Sequence, residues 1–363
     1  MSNEGSRRRL GTKPGDRILL TGATGRIGAN LCRTLLARGY KIRAVVMPND
    51  PALPRISGLD IEIVTADLQQ EPVIVQACAG VQAICHLAAL MGPDAGEMPV
   101  SEYWHLNVDA TLHVLEGARQ CAGLVKFIFA STDATYAAVN PCYSPIDENH
   151  PQDPVNLYGL TKVVGERMCL DYLTEFGVPI TILRYGGVSS PDERAGGKQY
   201  LLSSLIQRFR NSKLNHNNYL WINVQGHDRP WEWLEPIAGD KDPFVALTDR
   251  DGQPWIAHPS DVRDIVQGTL LALESEAGVG EAFNILGPGP VSTIEAARHL
   301  AERTGRPWCT APVPIRLAYE MSLSKARAVL GYRPQFDFFR SVDDGLQMLA
   351  GKDMGVLPAQ PPS

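Results

Sequence analysis

Tyr158 and Lys162 are the residues whose types and spacing best suit proton transfer. They lie in Tyr158-Gly159-Leu160-Thr161-Lys162, inside a helical pattern running from Pro154 to Phe176. There Val155, Tyr158, Val163, Arg167, Leu170 and Leu173 recur near helical spacing, and Gly177 with Pro179 stop the pattern. Residues four apart sit one above the other on a helix face. A phenol ionises near pH ~10, and an ammonium held beside it favours the phenolate. Such a pair would exchange a proton with an alcohol or ketone oxygen. Tyr-x-x-x-Lys also arises by chance on many helices, so the remaining chain must provide a redox partner and a pocket.

The redox partner is signalled near the N-terminus. An apolar run over residues 17–20 leads into Thr21-Gly22-Ala23-Thr24-Gly25-Arg26-Ile27-Gly28, then into a helical pattern of Ile27, Leu31, Leu35 and Leu36 ending at Gly39. In a strand–turn–helix unit Gly22 permits the tight turn, Gly25 admits a pyrophosphate, and Gly28 lets helix and strand pack closely. The helix N-terminus then offers free N–H groups and the positive end of its dipole. A second strand is expected at residues 42–46, where NAD sites carry an acid and NADP sites a base. Asp50 follows Gly28 by 22 residues and no arginine directly follows the strand. NAD is therefore favoured and NADP stays open, with Arg26 and Arg43 as the basic residues that could meet an extra phosphate.

Residues 61–64 read as a third strand leading to Asp67 and Leu68, with Asp67 placed either to reach an adenine or to cap the next helix. Residues 83–86 read as a fourth strand opening into Leu87, Ala88 and Ala89, small enough to admit a flat cofactor; His86 reads as a satisfied, half-buried histidine. A helix is expected over 102–120, with Trp104, Val108, Leu112 and Leu115 on one face. Its Asn107 is either an exposed polar residue or a hydrogen-bond donor near the cofactor. Strands at 126–130 and 180–183 run into Thr132-Asp133-Ala134 and into Tyr185, Gly186 and Gly187. Ligands of open α/β sheets bind beyond such carboxyl ends.

This alternation predicts an α/β fold, a Rossmann-type doubly wound parallel sheet with a smaller C-terminal substrate-binding domain. The expected divisions are a disordered arm at 1–15, a dinucleotide-binding domain at 16–188 with a segment returning around 258–286, a substrate-binding domain from 189–257 and 287–350, and a frayed tail at 351–363. Residues 189–255 hold four of the six tryptophans. Trp221 and Trp233 are candidates to stack on a substrate, although a local aromatic core explains them as well.

With 44 % apolar and 20 % charged residues, the 363-residue chain has the composition of an ordinary globular protein. A net charge of −6 argues against general affinity for nucleic acid or anionic membrane. No run of eighteen apolar residues and no secretory core are evident. Seven scattered cysteines without Cys-x-x-Cys suggest buried free thiols and a cytoplasmic setting. No metal-ligand spacing is present.

Together these residues resemble the extended short-chain dehydrogenase/reductases, the NAD-dependent epimerase/dehydratase family. The likeness rests on Gly22/Gly25/Gly28, Asp67-Leu68, His86-Leu87-Ala88-Ala89, Asn107-Val108-x-x-Thr111, Ser131-Thr132, Tyr158/Lys162 and Leu183-Arg184-Tyr185, with Leu330-Gly331-Tyr332-Arg333-Pro334 near the end. The resemblance implies that Tyr158 is the acid/base, that Lys162 lowers its pKa and holds the nicotinamide ribose, that Thr132 hydrogen-bonds the substrate oxygen, and that the chain is a homodimer paired through the tyrosine-bearing helix. Three departures narrow the chemistry. Ala134 replaces the glutamate of dehydratases, Gly187 an asparagine, and Ala257 the arginine that often binds a substrate diphosphate. A dehydrogenase acting on a carbohydrate-like secondary alcohol or ketone is the first expectation, an epimerase passing through a transient ketone the alternative, and a non-catalytic nucleotide sensor the third.

Overall fold

The computed structural model describes residues 9–91, 99–137, 141–214, 229–237 and 241–359. Its longer early strands are β1 (Arg17–Thr21), β2 (Lys41–Val46), β3 (Glu62–Thr65), β4 (Ala83–His86), β5 (Lys126–Thr132) and β6 (Ile180–Tyr185). They are followed by β7 (Val188–Ser189), β8 (Phe244–Thr248), β9 (Ile256–Ala257), β10 (Ser260–Asp261), β11 (Ala282–Ile285), β12 (Val291–Ser292) and β13 (Trp308–Pro312). The main sheet has seven strands in the order β11-β6-β5-β4-β1-β2-β3, every pairing parallel. β5 and β6 are buried along their whole length, as parallel strands covered on both faces must be, which is why they read as continuous apolar runs.

Helices α1 (Arg26–Ala37), α2 (Glu71–Ala77), α3 (Val100–Trp104), α4 (Ala110–Gln120) and α5 (Leu157–Phe176) alternate with the first strands. Then come α6 (Pro191–Gly196), α7 (Leu202–Leu214), α8 (Val262–Glu274), α9 (Thr293–Thr304), α10 (Ser324–Val329) and α11 (Phe338–Leu349). Leu31 and Leu35 of α1 share one apolar cluster with Ile265 and Leu273 of α8. Ile74, Val114, Leu115 and Cys169, from α2, α4 and α5, form the other, so the sheet is covered on both faces. After β3 the chain returns to the far side of β1, and this reversal opens a crevice at the carboxyl ends of β1 and β4.

Away from the sheet, β13 pairs in parallel with β8, and two further clusters form around Phe209, Leu234 and Trp255 and around Tyr200, Phe244 and Phe338. Trp231 and Trp233 pack on the first of these, with Trp233 edge-on to Phe209 at 6.3 Å. The aromatic-core explanation therefore holds for Trp233, which is not a wall of the crevice; Trp221 lies outside the described residues.

Several expectations are corrected. The helix foreseen at 102–120 is broken by a π-helical turn, His105–Asp109, and Leu112 on its expected inner face is exposed while Val108 and Leu115 are buried. In α5 the buried stripe is Gly159, Thr161, Lys162, Gly165, Glu166 and Cys169, whereas Arg167 and Leu170 face outward. Small and paired polar residues win because this helix lies close to the sheet: a Cβ at Gly165 would stand 2.5 Å from the Phe129 ring. Among the described residues, parts of the expected arm and tail make defined contacts. Thr12 bonds Leu273 O at 3.2 Å, and Arg9 pairs with Asp16 at 2.9 Å. Beyond Gly351, Val356 is buried and Leu357 N donates to Asn30 Oδ1 at 2.8 Å, so the segment docks on α1 as far as Ala359.

Candidate active site

A cavity of about 1000 Å³ occupies the crevice. One end is walled by Gly22, Thr24, Gly25, Arg26, Ile27, Gly28, Asp50 and Leu68, the middle by Leu87 and Ala88, and the other end by Thr132, Asp133, Tyr158, Lys162, Tyr185 and Gly187. The sequence-predicted residues are thus largely brought together from seven segments of the chain.

The glycine turn is built for a dinucleotide. Gly22 has φ +67°, and a Cβ on it would lie 2.7 Å from Ala88 N. A Cβ on Gly28 would lie 2.1 Å from Gly22 O. Gly25 caps α1 without any side-chain hydrogen bond, so the first N–H groups of the helix face the cavity free for phosphate oxygens. Thr24 Oγ1 donates to Asp50 Oδ2 at 2.7 Å, and Asp50 Oδ1 accepts from Ala52 N at 2.8 Å, which fixes the loop after β2 against the turn. These residues fit a dinucleotide.

Other predicted residues serve the site indirectly. Asp67 accepts from Gln69 N at 2.9 Å and shapes a turn ahead of α2 rather than lining the cavity. Asn107 is buried and neither exposed nor a cavity wall: its Oδ1 accepts from Leu90 N at 2.8 Å while its Nδ2 donates to Leu90 O at 3.0 Å, pinning the loop after β4. His86 is fully buried between Thr21 Oγ1 (2.7 Å) and Thr111 Oγ1 (3.0 Å), and burial, with the Lys162 charge second, pushes its pKa down to about 3. It is a neutral structural group. Arg43 is engaged by Glu62 at 2.8 Å and by the Ala77 and Ala79 carbonyls, away from the cavity. Arg26 does line the cavity, with its guanidinium tied to Glu193, Nε at 2.7 Å.

At the far end, Asn156 caps α5 by accepting from Gly159 N at 2.7 Å, which sets Tyr158 in the first helical turn. Lys162 is buried; its Nζ donates to Ala130 O at 2.8 Å and lies 4.9 Å over the Phe129 ring. Burial lowers its pKa to about 8. Tyr158 departs from expectation. Burial pushes its phenol up to about 12, the Thr132 hydroxyl pulls against this, and the Asp133 charge adds to it. The lysine is not what sets the phenol, because its ammonium is engaged by the Ala130 carbonyl and the Phe129 face. Thr132 Oγ1 donates to Asp133 Oδ1 at 2.9 Å and accepts from Ala134 N at 3.2 Å. Asp133 Oδ2 accepts from Tyr319 OH at 2.7 Å, and burial raises its carboxyl pKa. Tyr185 OH is bonded to Thr269 Oγ1 at 2.7 Å, so it offers the cavity its ring rather than its hydroxyl.

Arg55, Glu193, Tyr319 and Ala359 were missed by sequence reasoning. Arg55, Tyr319 and Ala359 sit in a short 3-10 turn, an irregular segment and the tail, without a periodic or motif signal, whereas the capping box Ser190-Pro191-Asp192-Glu193 could have marked the helix start that holds Glu193. All seven cysteines are free, five of them buried. Among the described residues there is no metal-ligand cluster, and no helix is long and apolar enough to cross a membrane.

The profile of the NAD dependent epimerase/dehydratase family matches residues 18–285. A UDP-glucose 4-epimerase of Rhizobium leguminosarum bv. trifolii is 35% identical over 89% of this chain and 94% of its own length. A 4-hydroxy-2-methyl-3-oxo-4-farnesyl-3,4-dihydroquinoline-1-oxide ketoreductase of Stigmatella aurantiaca is 28% identical over 94% and 99%. A crystal structure of a short-chain dehydrogenase/reductase superfamily protein from Agrobacterium tumefaciens with bound NAD superposes with a TM-score of 0.78 at 26% identity, covering 92% of this chain and 98% of that one.

Proposed function

The chain belongs to the NAD dependent epimerase/dehydratase family and is an NAD-dependent enzyme, and we propose that it moves a hydride at a secondary alcohol or ketone of a carbohydrate-like substrate, with Tyr158 as the acid/base. One observation carries this reading: Tyr158, Lys162 and Thr132 meet at the end of a cavity whose opposite end is the glycine turn. Bound NAD supplies the hydride acceptor. This chain's own groups supply the rest. Gly22, Gly25, Gly28 and the α1 N-terminus hold phosphates. Leu87, Ala88 and Ala89 leave room for a flat ring. Lys162 brings a charge to the ribose, Tyr158 takes or returns the hydroxyl proton, and Thr132 aligns the substrate oxygen.

Ala134 leaves no carboxylate where a dehydratase needs one, so elimination is set aside. Gly187, with φ +55°, and Ala257 on β9 provide no side-chain donor for a substrate diphosphate, which favours a dehydrogenase acting on a substrate without a nucleotide handle. An epimerase is the second reading, favoured by the 35% identical relative. We further propose that 189–257 and 287–350 form the substrate-binding part. The assembly is proposed to be a homodimer through α4 and α5, where Leu112, Leu160, Leu170 and Phe176 are exposed.

Purified protein is to be mixed with NAD, or NADP in parallel, and a panel of sugars and hydroxy compounds while absorbance at the reduced-nicotinamide band is followed. Net reduction supports the dehydrogenase. Substrate interconversion with cofactor retained and no net reduction would replace it with the epimerase.

A further inference from the structure

Arg55 lies in a 3-10 turn (Leu53–Arg55) beyond β2 and forms part of the cavity wall beside Met47, Asp50 and Ala52. Its Nη1 donates to the carbonyl of Ala359 at the end of the docked C-terminal segment. Its Nε and Nη2 are enclosed and have no hydrogen-bond partner among the described residues. Both nearby carboxylates are committed elsewhere: Glu193 to Arg26 and to Ser190 N (2.9 Å), and Asp192 to Ala359 N (3.1 Å). A guanidinium with two enclosed, unsatisfied N–H edges bears a desolvation cost that an anion relieves. Burial, and after it the positive charge of Arg26, press its pKa down, and the Asp192 and Glu193 charges offset this only in part.

We propose that Arg55 binds a phosphoryl group of the dinucleotide, held in position for it by the Ala359 carbonyl of the C-terminal segment. A planar fork of donors matches phosphate oxygens, and charge-assisted bonds of this kind are strong. Two phosphoryl groups share this chemistry: the bridging pyrophosphate, common to NAD and NADP, and the 2′-phosphate that NADP alone carries. The inference rests on the cavity being the cofactor site.

The test is calorimetric titration of the cofactor-stripped full chain with NAD, NADP and adenosine, for wild type, Arg55→Ala and Arg55→Lys. Arg55→Ala is expected to weaken binding roughly ten- to a hundredfold while adenosine binding is unchanged, and Arg55→Lys is expected to recover part of the loss. Loss for both dinucleotides assigns the pyrophosphate; loss for NADP with NAD unchanged assigns the 2′-phosphate. Dinucleotide affinities within about twofold of wild type, or an equal loss for adenosine, overturn the proposal. Wild type that binds neither dinucleotide overturns the cofactor reading beneath it. A chain ending at Gly355 is expected to weaken the same ligands, with Arg55→Ala adding little in that background; fully additive losses overturn the bracing role.

Discussion

Tyr319 donates its hydroxyl to Asp133 Oδ2 at 2.7 Å across 186 residues of sequence, tying the segment before α10 to the carboxyl end of β5. The other Asp133 oxygen accepts from Thr132 at 2.9 Å. The single Thr132 proton therefore has two takers, the Asp133 carboxylate and the Tyr158 oxygen. While it points to Asp133 it does not stabilise a phenolate.

Replacing Asp133 by Asn removes the negative charge that raises the Tyr158 pKa and weakens the competing acceptor. The expected outcome is that the limb of the kcat/KM–pH profile due to Tyr158 moves to lower pH. Tyr319→Phe removes a donor to the carboxylate and is expected to raise the Asp133 pKa further, moving any limb of the profile due to Asp133 to higher pH. Profiles of both variants that superpose on wild type would contradict the coupling.

Tyr158→Phe keeps the ring that walls the cavity and deletes only the proton-bearing oxygen. Turnover is expected to fall by roughly 10²–10⁴-fold, with NAD affinity by calorimetry within about threefold of wild type, since the phosphate-binding turn lies at the opposite end of the cavity. Turnover that survives the substitution would assign proton transfer to another group.

Much of this was legible in the sequence, and what was not has identifiable causes. β1, the glycine turn and α1 were readable because strand, turn and helix each carry a local signal. β5 and β6 were readable from continuous apolar runs of the kind that parallel, doubly covered strands need, although their neighbours in the sheet were not. The spacing announced α5 but not its buried face, because periodicity counts apolar residues, whereas the close approach of this helix to Phe129 selects Gly165 and a paired Glu166. The docking of the tail and the Tyr319–Asp133 bond join residues far apart in the chain, and nothing local announces them.

Lys162 is predicted to trade stability for chemistry. Its pKa in the fold is about 8 against an ordinary 10.5, so below pH 8 the native state holds a buried ammonium at a cost of about 3 kcal/mol. Between pH 8 and 10.5 the native amine is neutral while the unfolded one is still charged, and the cost disappears. Lys162→Met loses the bond to Ala130 O, worth roughly 1 kcal/mol. The cofactor-free variant is therefore expected to be more stable than wild type by roughly 1–2 kcal/mol at pH 7, with the gap narrowing above pH 8, while turnover is lost. Denaturant titrations at pH 7 and 10 measure this. A variant less stable than wild type at pH 7 would contradict it.

Glu166 and Arg184 form a buried ion pair directly behind the site, Arg184 Nη2 to Glu166 Oε2 at 2.6 Å and Nε to Oε1 at 2.9 Å. The same carboxylate accepts from Ser131, the residue before Thr132, and from Gln152 Nε2 at 2.8 Å. It therefore fixes the end of β5 that presents Thr132 as well as the face of α5 that presents Tyr158. Glu166→Ala strands a buried guanidinium and is expected to cost about 3–5 kcal/mol. Glu166→Gln keeps the shape and one accepting oxygen but turns its amide nitrogen towards an Arg184 N–H, so its loss should be smaller than that of Glu166→Ala yet still measurable. The double variant Glu166→Leu/Arg184→Met removes both charges and is expected to recover stability towards wild type, because desolvation offsets much of what a buried pair contributes. Recovered stability should not bring recovered turnover, since Ser131 has then lost its anchor. Chemical denaturation paired with steady-state kinetics on the three variants separates the two effects, and a double variant as active as wild type would show that the pair does not position the site.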